Sequence, residues 1–242
     1  MRHKTSTHAR EFSRPHVVLI KNSNNLSAEQ RKQAALQDKV VGIIFGHNGV
    51  GDAVLHGGTA ICRCFESDRF SPDIDLCSTN TKTGNALAER FVEEGLEVKK
   101  FKRTGNGTIF ASVSEGNTTI TLSVAGRELR AHEHIATYRC VDGRIFPVTT
   151  ITPQSLIIEK MQAFQNRRKH TDMYDIYHLL NLLRKEDQTA GMENKLLAFV
   201  TSAMPPVDDH RELRSRVYSG RKIPDYNEMM HSIRKIAISL FQ

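Results

Sequence analysis

The feature that most restricts what this chain can fold into comes in two pieces. Val54-Leu55-His56 runs into Gly57-Gly58-Thr59, and ten residues later Arg69-Phe70-Ser71-Pro72 leads into Asp73-Ile74-Asp75-Leu76. Gly57 and Gly58 lack a Cβ, so the backbone can bend sharply there and approach a ligand closely. The apolar residues before them predict a strand. Thr59 opens a predicted helix whose first-turn N–H groups and positive dipole end favour an anion such as phosphate. The alternation in Asp73-Ile74-Asp75-Leu76-Cys77 predicts a strand over 73–78, with both aspartates on one face and Ile74 and Leu76 in the core. Paired carboxylates of this kind suit Mg2+ or Mn2+, hard cations that complete their coordination with water and phosphate. Gly-Gly-Thr alone is a common turn and Asp-x-Asp alone a common strand end. Their order and distance carry the information.

The rest of the chain supplies a setting for these residues. Residues 1–25 are polar and basic, ending in an Asn-rich loop, and read as a flexible segment or a nucleic-acid arm. Ser27 is an N-cap candidate for a helix to about Phe45, with Glu29 in its first turn, and Gly46-His47-Asn48-Gly49 stops it. A helix from Thr59 to Glu66 and another from Gly84 to Glu94 are expected, with strands at 96–103, 108–114 and 118–125 and a further extended segment over 145–151. Gly105-Asn106-Gly107 and Gly116-Asn117 mark hairpins. From Thr152 the pattern turns helical. Thr152 caps, Pro153 suits the first turn, and Leu156, Ile157, Met161 and Phe164 make the apolar stripe of a first helix; further helices are expected over 172–184, 191–203, 208–218 and 225–240, with Pro205-Pro206 and Ile223-Pro224 separating the last three. The fold class is therefore α+β, a mixed sheet with flanking helices over 26–151 followed by a helical half over 152–242.

Composition narrows the setting further. Lys and Arg outnumber Asp and Glu by 34 to 27, a formal +7, which favours polyanionic partners without requiring one. No apolar run is long enough to span a bilayer, and no signal peptide is evident, so a cytoplasmic protein without a membrane partner is expected. Cys62, Cys64, Cys77 and Cys140 are irregularly spaced and read as free buried thiols. His132 and His134 flank Glu133 without a zinc-binding pattern.

The Gly-Gly-Thr and Arg-x-Ser-x-Asp-Ile-Asp-Leu strings resemble the signature of polymerase-β-like nucleotidyltransferases, specifically the AbiEii/AbiGii-type toxin branch of type IV toxin–antitoxin systems. A second matching block runs from Pro153 through Leu156, Glu159, Lys160, Met161, Ala163, Phe164 and Arg167 to Lys169, Asp172, Met173, Tyr174, Asp175, Ile176 and Tyr177. Together the two blocks cover roughly residues 50 to 183.

The resemblance implies a metal-dependent transfer of a nucleotide from an NTP to an acceptor hydroxyl, with RNA, such as a tRNA end, as acceptor and a cognate antitoxin as partner. Gly57, Gly58 and Thr59 would hold the triphosphate, with Arg69, Ser71 and Lys160 beside it. Asp73 and Asp75 would bind Mg2+ or Mn2+, and Lys160 with Asp172 and Asp175 would complete the catalytic set. Read as residues alone, several have other uses. Arg69 is equally a salt-bridge partner for Glu66, Asp68 or a strand aspartate. Lys160 is equally an exposed helix lysine paired with an acid. Asp172 is equally an N-cap, and Asp175 a partner of Arg168. The chain also departs from the usual pattern. Where a third metal carboxylate is expected, Thr118 to Val124 offers only hydroxyls, with Glu128 and Glu133 as the nearby acids. A catalytically reduced nucleotide- or RNA-binding protein is the alternative this leaves open. Transfer to a protein hydroxyl or a small molecule is another.

Overall fold

The computed structural model describes residues 25–46, 52–80, 82–105, 107–126, 133–184, 187 and 191–241. The basic segment before residue 25, the 47–49 helix stop, Asn106, Glu128 and His132 lie outside them.

In chain order the elements are α1 (Ala28–Phe45), β1 (Val54–His56), α2 (Gly57–Cys64), β2 (Asp73–Cys77), α3 (Thr83–Glu93), β3 (Glu97–Arg103), β4 (Ile109–Glu115) and β5 (Thr118–Ala125). There follow β6 (Glu133–Arg139), β7 (Ile145–Ile151), α4 (Pro153–Arg167), α5 (His170–Leu180), α6 (Met192–Ser202), α7 (His210–Arg216) and α8 (Tyr226–Phe241). The expected α+β class, a mixed sheet and then a helical half, is the one observed.

Local sequence accounts for most of these boundaries. Ser27 caps α1 in a reciprocal box: its hydroxyl accepts from the Gln30 N–H at 3.1 Å, and the Gln30 side chain accepts from the Ser27 N–H at 2.9 Å. Thr152 caps α4 through the Ser155 N–H, with Pro153 in the first turn. Two boundaries differ in a way that matters. Helix α2 begins at Gly57 rather than Thr59, so both glycines are helical, and it ends at Cys64 rather than Glu66. Strand β6 was not expected, because Glu133, His134, Thr137 and Arg139 make it polar. It is an edge strand, where only Ala136 and Tyr138 must be buried.

The sheet order is β3-β4-β5-β2-β1-β7-β6. β2 lies at its centre, antiparallel to β1 and parallel to β5, and β1 runs parallel to β7. One face carries Ile74, Leu76, Val113, Leu122 and Val124, which cluster with Val40, Val41 and Ile44 of α1 and with Leu87 and Phe91 of α3. On the other face of β3, β4 and β5, Lys99, Lys102, Phe110, Thr119 and Thr121 are exposed. The helical half forms a second cluster around Leu156, Phe164, Ile176, Phe199 and Ile233. Val54 of β1, Ile61 of α2 and Ile151 of β7 belong to it as well, which seats the helices on that end of the sheet. No helix among the described residues is long and apolar enough to cross a membrane.

Candidate active site

The turn from β1 into α2 begins at Gly57, whose φ of +70° lies in the left-handed region that favours glycine. A Cβ on Gly57 would collide with the Asp75 carboxylate, and one on Gly58 would collide with the Ser71 hydroxyl and come within 2.6 Å of Arg69 Nη2. The missing side chains therefore let the helix N-terminus close on the acid strand. Thr59 tightens this contact. Its hydroxyl, 1% exposed, donates to the Asp73 carbonyl at 2.5 Å and lies 3.4 Å from the Ser71 carbonyl. The buried Gln37 amide of α1 donates to the same Ser71 carbonyl at 2.7 Å. The Thr59 hydroxyl is thus turned inward, where it fixes the backbone leading into the strand, and Ser71 is buried beside it.

Asp73 and Asp75 stand on one face of β2, as the alternation requires, while Ile74 and Leu76 are fully buried on the other. Asp75 faces His56 across the β1 pairing and accepts a hydrogen bond from Ser123 of β5 at 2.8 Å. Asp73 is paired in register with Thr121. Burial, followed by the charge of Asp75, raises the Asp73 carboxyl above its ordinary range. A site that gathers two hard oxygen donors and penalises their shared negative charge has the donor chemistry of a divalent-cation site. Among the described residues a third carboxylate does not join them. β5 presents Thr119, Thr121 and Ser123 there, and Glu133 lies on β6, three strands from β2. Among the described residues, no group of three or more His, Cys, Asp or Glu side chains is placed to hold a metal.

The second block comes together as one chain of charges, buried except at Arg167. Asp172 and Asp175 are both fully buried on α5. Lys160 of α4, 7% exposed, lies 2.7 Å from Asp175 and 3.5 Å from Asp172. Arg69 grips Asp175 with both arms of its fork at 2.6 and 2.8 Å, and Arg167 does the same to Asp172 at 2.6 and 2.7 Å. Burial alone would raise the Asp175 carboxyl, but the charges of Arg69 and Lys160 outweigh it and hold the group below the ordinary carboxylate range. The series runs Arg167, Asp172, Lys160, Asp175, Arg69, and Arg69 ends against Gly58.

Several alternatives are thereby resolved. Arg69 pairs with Asp175, while Glu66 pairs with Arg139 and Asp68 accepts from Tyr174. Lys160 is buried, not exposed. Asp175 bonds Arg69 and Lys160 rather than Arg168, whose guanidinium donates to the Pro205 carbonyl. Asp172 is inside α5, whose N-cap is Lys169. All of the residues expected at the site belong to two linked clusters, one on β2 and α2, the other on α4 and α5.

A neighbour without any sequence signal is the segment after α7. The Phe70 N–H donates to the Arg216 carbonyl at 2.8 Å, the Tyr218 N–H donates to the Asp68 carbonyl at 3.0 Å, and Arg69 pairs with Val217 in a single antiparallel bridge. This strap holds the stretch leading into Asp73. The positive charge of Arg216 acts on Asp73, and the charges of Arg167 and Asp75 act on each other, so two half-buried cations border the acids. The four cysteines are buried and none forms a disulfide, and burial pushes the Cys64 thiol up to about 12, which leaves it unreactive at neutral pH.

A family model described as nucleotidyl transferase AbiEii toxin, type IV TA system, matches residues 48–237. The chain is similar in structure to JHP933 from Helicobacter pylori, with a TM-score of 0.60 at 19% identity, over 89% of this chain and 93% of that one. A second H. pylori protein, provisionally assigned as a nucleotidyltransferase, also gives 0.60, at 16% identity over 89% and 96% of the two chains. At these identities the likeness is one of fold. No curated protein matches the sequence.

Proposed function

We propose, from the premise that the chain belongs to the AbiEii nucleotidyl transferase toxin family of type IV toxin–antitoxin systems, that it transfers a nucleotide from an NTP to a hydroxyl of RNA. The family also implies a cognate antitoxin. The observation that carries the reading is the closure of the α2 N-terminus on a strand face bearing two adjacent carboxylates, Asp73 and Asp75.

In this reading Asp73 and Asp75 would hold Mg2+ or Mn2+, which would supply charge neutralisation for the triphosphate and the departing pyrophosphate. The chain's own groups do the rest. The free N–H groups and dipole of α2 face the triphosphate. Arg167, half exposed and aligned by the buried Asp172, offers a cation at the edge of the site, with Arg216 near Asp73. Lys160, Asp175 and Arg69 act as positioning residues: their buried ion pairs hold α2 and the acid strand against the helical half. Thr59 sets the backbone leading into the strand.

A second reading rests on the hydroxyls of β5, which stand where a third carboxylate is expected. With two acids only, the protein would bind nucleotide or RNA without turnover. Incubation with each labelled NTP and total RNA or lysate separates the readings. Transfer predicts metal-dependent pyrophosphate release and label in the RNA fraction, both lost in Asp73→Asn and Asp75→Asn. Binding without pyrophosphate release supports the second reading, and label in protein or small molecules refutes RNA as acceptor. Expression without the antitoxin is expected to slow bacterial growth, and the Asp73→Asn variant is not.

A further inference from the structure

Beside the two acids lies a surface that the proposed chemistry has not used. The register of the sheet puts Asp75, Ser123, Phe110 and Lys102 in one row across β2, β5, β4 and β3, and Asp73, Thr121, Ser112 and Lys99 in the next. Directly paired residues project from the same face, and the bond from Ser123 to Asp75 fixes that face as the one bearing the acids. The opposite face is filled by Ile109, Ala111, Val113, Ile120, Leu122 and Val124. The acid-bearing face is thus hydroxyls, then one aromatic ring, then lysines at the sheet edge.

Phe110 is 43% exposed, although the alternation of β4 places polar residues at the other outward positions. With strands about 4.8 Å apart, it stands roughly 10 Å from Asp75, and Lys102 about 14 Å. Lys102 has no ion-pair partner among the described residues. Lys99 pairs at 2.6 Å with Glu97, but both side chains are more than half exposed, and such a pair yields readily to a phosphate. A bulge between Lys99 and Lys102 interrupts the edge, so β3 is ill suited to pairing with another strand.

We infer that this row is the docking platform for the acceptor: a single-stranded RNA segment whose backbone tracks along Lys102 and Lys99, with a base stacked on Phe110 and its end directed toward Asp73 and Asp75. The inference rests on the transfer reading for the identity of the acids and deepens it by locating the acceptor. Charge complementarity selects a polyanion. An exposed ring selects an unstacked base over a duplex, and the flanking hydroxyls suit a ribose 2′-OH, which can donate to the oxygens of Thr121 and Ser123, already bonded to Asp73 and Asp75, and exchange either way with Ser112. A protein partner would need an apolar centre, and one ring among hydroxyls does not supply it.

The test is fluorescence anisotropy with a labelled single-stranded RNA dodecamer, alongside equilibrium dialysis of NTP with Mg2+ and pyrophosphate release. Phe110→Ala should weaken RNA binding by roughly tenfold, and Phe110→Tyr should retain it. The double variant Lys99→Gln, Lys102→Gln should reduce the slope of log affinity against log salt by about 1.4. NTP binding should be unchanged in every variant, and melting curves exclude misfolding. RNA affinity and salt slope equal to wild type in both the alanine and glutamine variants would overturn the platform. So would a wild type that binds NTP and releases pyrophosphate but has no RNA affinity, or one that prefers DNA or duplex RNA of the same sequence. A wild type that binds RNA through these residues yet neither binds NTP nor releases pyrophosphate would sustain the platform and sink the transfer reading.

Discussion

Replacing Asp175 by Asn keeps its volume, removes its charge, strands the buried Arg69 and leaves the buried Lys160 only its longer contact to Asp172 at 3.5 Å. Asp175 is fully buried and receives three bonds from them, at 2.6 and 2.8 Å from Arg69 and 2.7 Å from Lys160. Arg69 is 3% exposed and the Lys160 side chain 9%, so neither can turn to water when the carboxylate is lost. Breaking one partner out of a buried ion pair costs about 3–5 kcal/mol. For a chain of this size that is a melting shift of roughly 6–20 °C. Asp172→Asn is the matched control. It is equally buried, but its main partner Arg167 has a side chain 53% exposed and can be resolvated, so a loss of about 1–3 kcal/mol is expected. Urea denaturation of both variants checks the order.

The pH dependence adds an independent sign. Because the folded Asp175 carboxyl is held below its ordinary value, the unfolded chain takes up a proton first as pH falls. Its stabilisation is complete above the unfolded value of about 4 and disappears as pH drops through the folded one. The gap between wild type and Asp175→Asn should therefore narrow below about pH 4. A melting shift under ~2 °C at pH 7, or a gap that widens in acid, would refute the brace.

The same geometry sets three further outcomes. Gly57→Ala and Gly95→Ala both force alanine into a positive φ, at about 1 kcal/mol each, but only the first meets a carboxylate, that of Asp75. Only Gly57→Ala should abolish pyrophosphate release, and equal activity would refute the close-approach argument. Lys160→Met keeps the buried stem and leaves Asp175 with Arg69, so thermal stability should fall more than NTP affinity. An NTP affinity loss worth ~1.5–3 kcal/mol with unchanged melting would put the ammonium on the triphosphate instead. Asp73→Asn and Asp75→Asn should retain wild-type melting within a few degrees, because neither side chain carries a buried ion pair. A collapse of the fold would make them structural acids.

Much of this was readable in the chain because it depends on local order. The alternation of β2 puts Ile74 and Leu76 inside and both aspartates together. Ser27, Thr152 and Pro153 announce helix starts, and the three-residue spacing puts Asp172 and Asp175 on one side of α5. What was not readable depends on residues far apart in sequence. No local pattern tells Arg69 to reach Asp175 or ties Arg216 and Tyr218 to the loop before β2. A polar edge strand such as β6 lacks the apolar alternation that marks a strand buried on one face. The two glycines were visible, but not what an added Cβ would meet there: Asp75, Arg69 and Ser71 of the same chain.

The bond between Arg69 and Asp175 also sets a timetable for synthesis. The partners are 106 positions apart, so the ribosome finishes the carboxylate strand long before it delivers the side chain that braces it. Until α5 emerges, Arg69 has no buried counter-charge, and the packing of α2 against the helical half cannot be completed. Contacts of such long range also make this step late in folding. A polypeptide that stops before α5 therefore lacks the brace between Arg69 and Asp175.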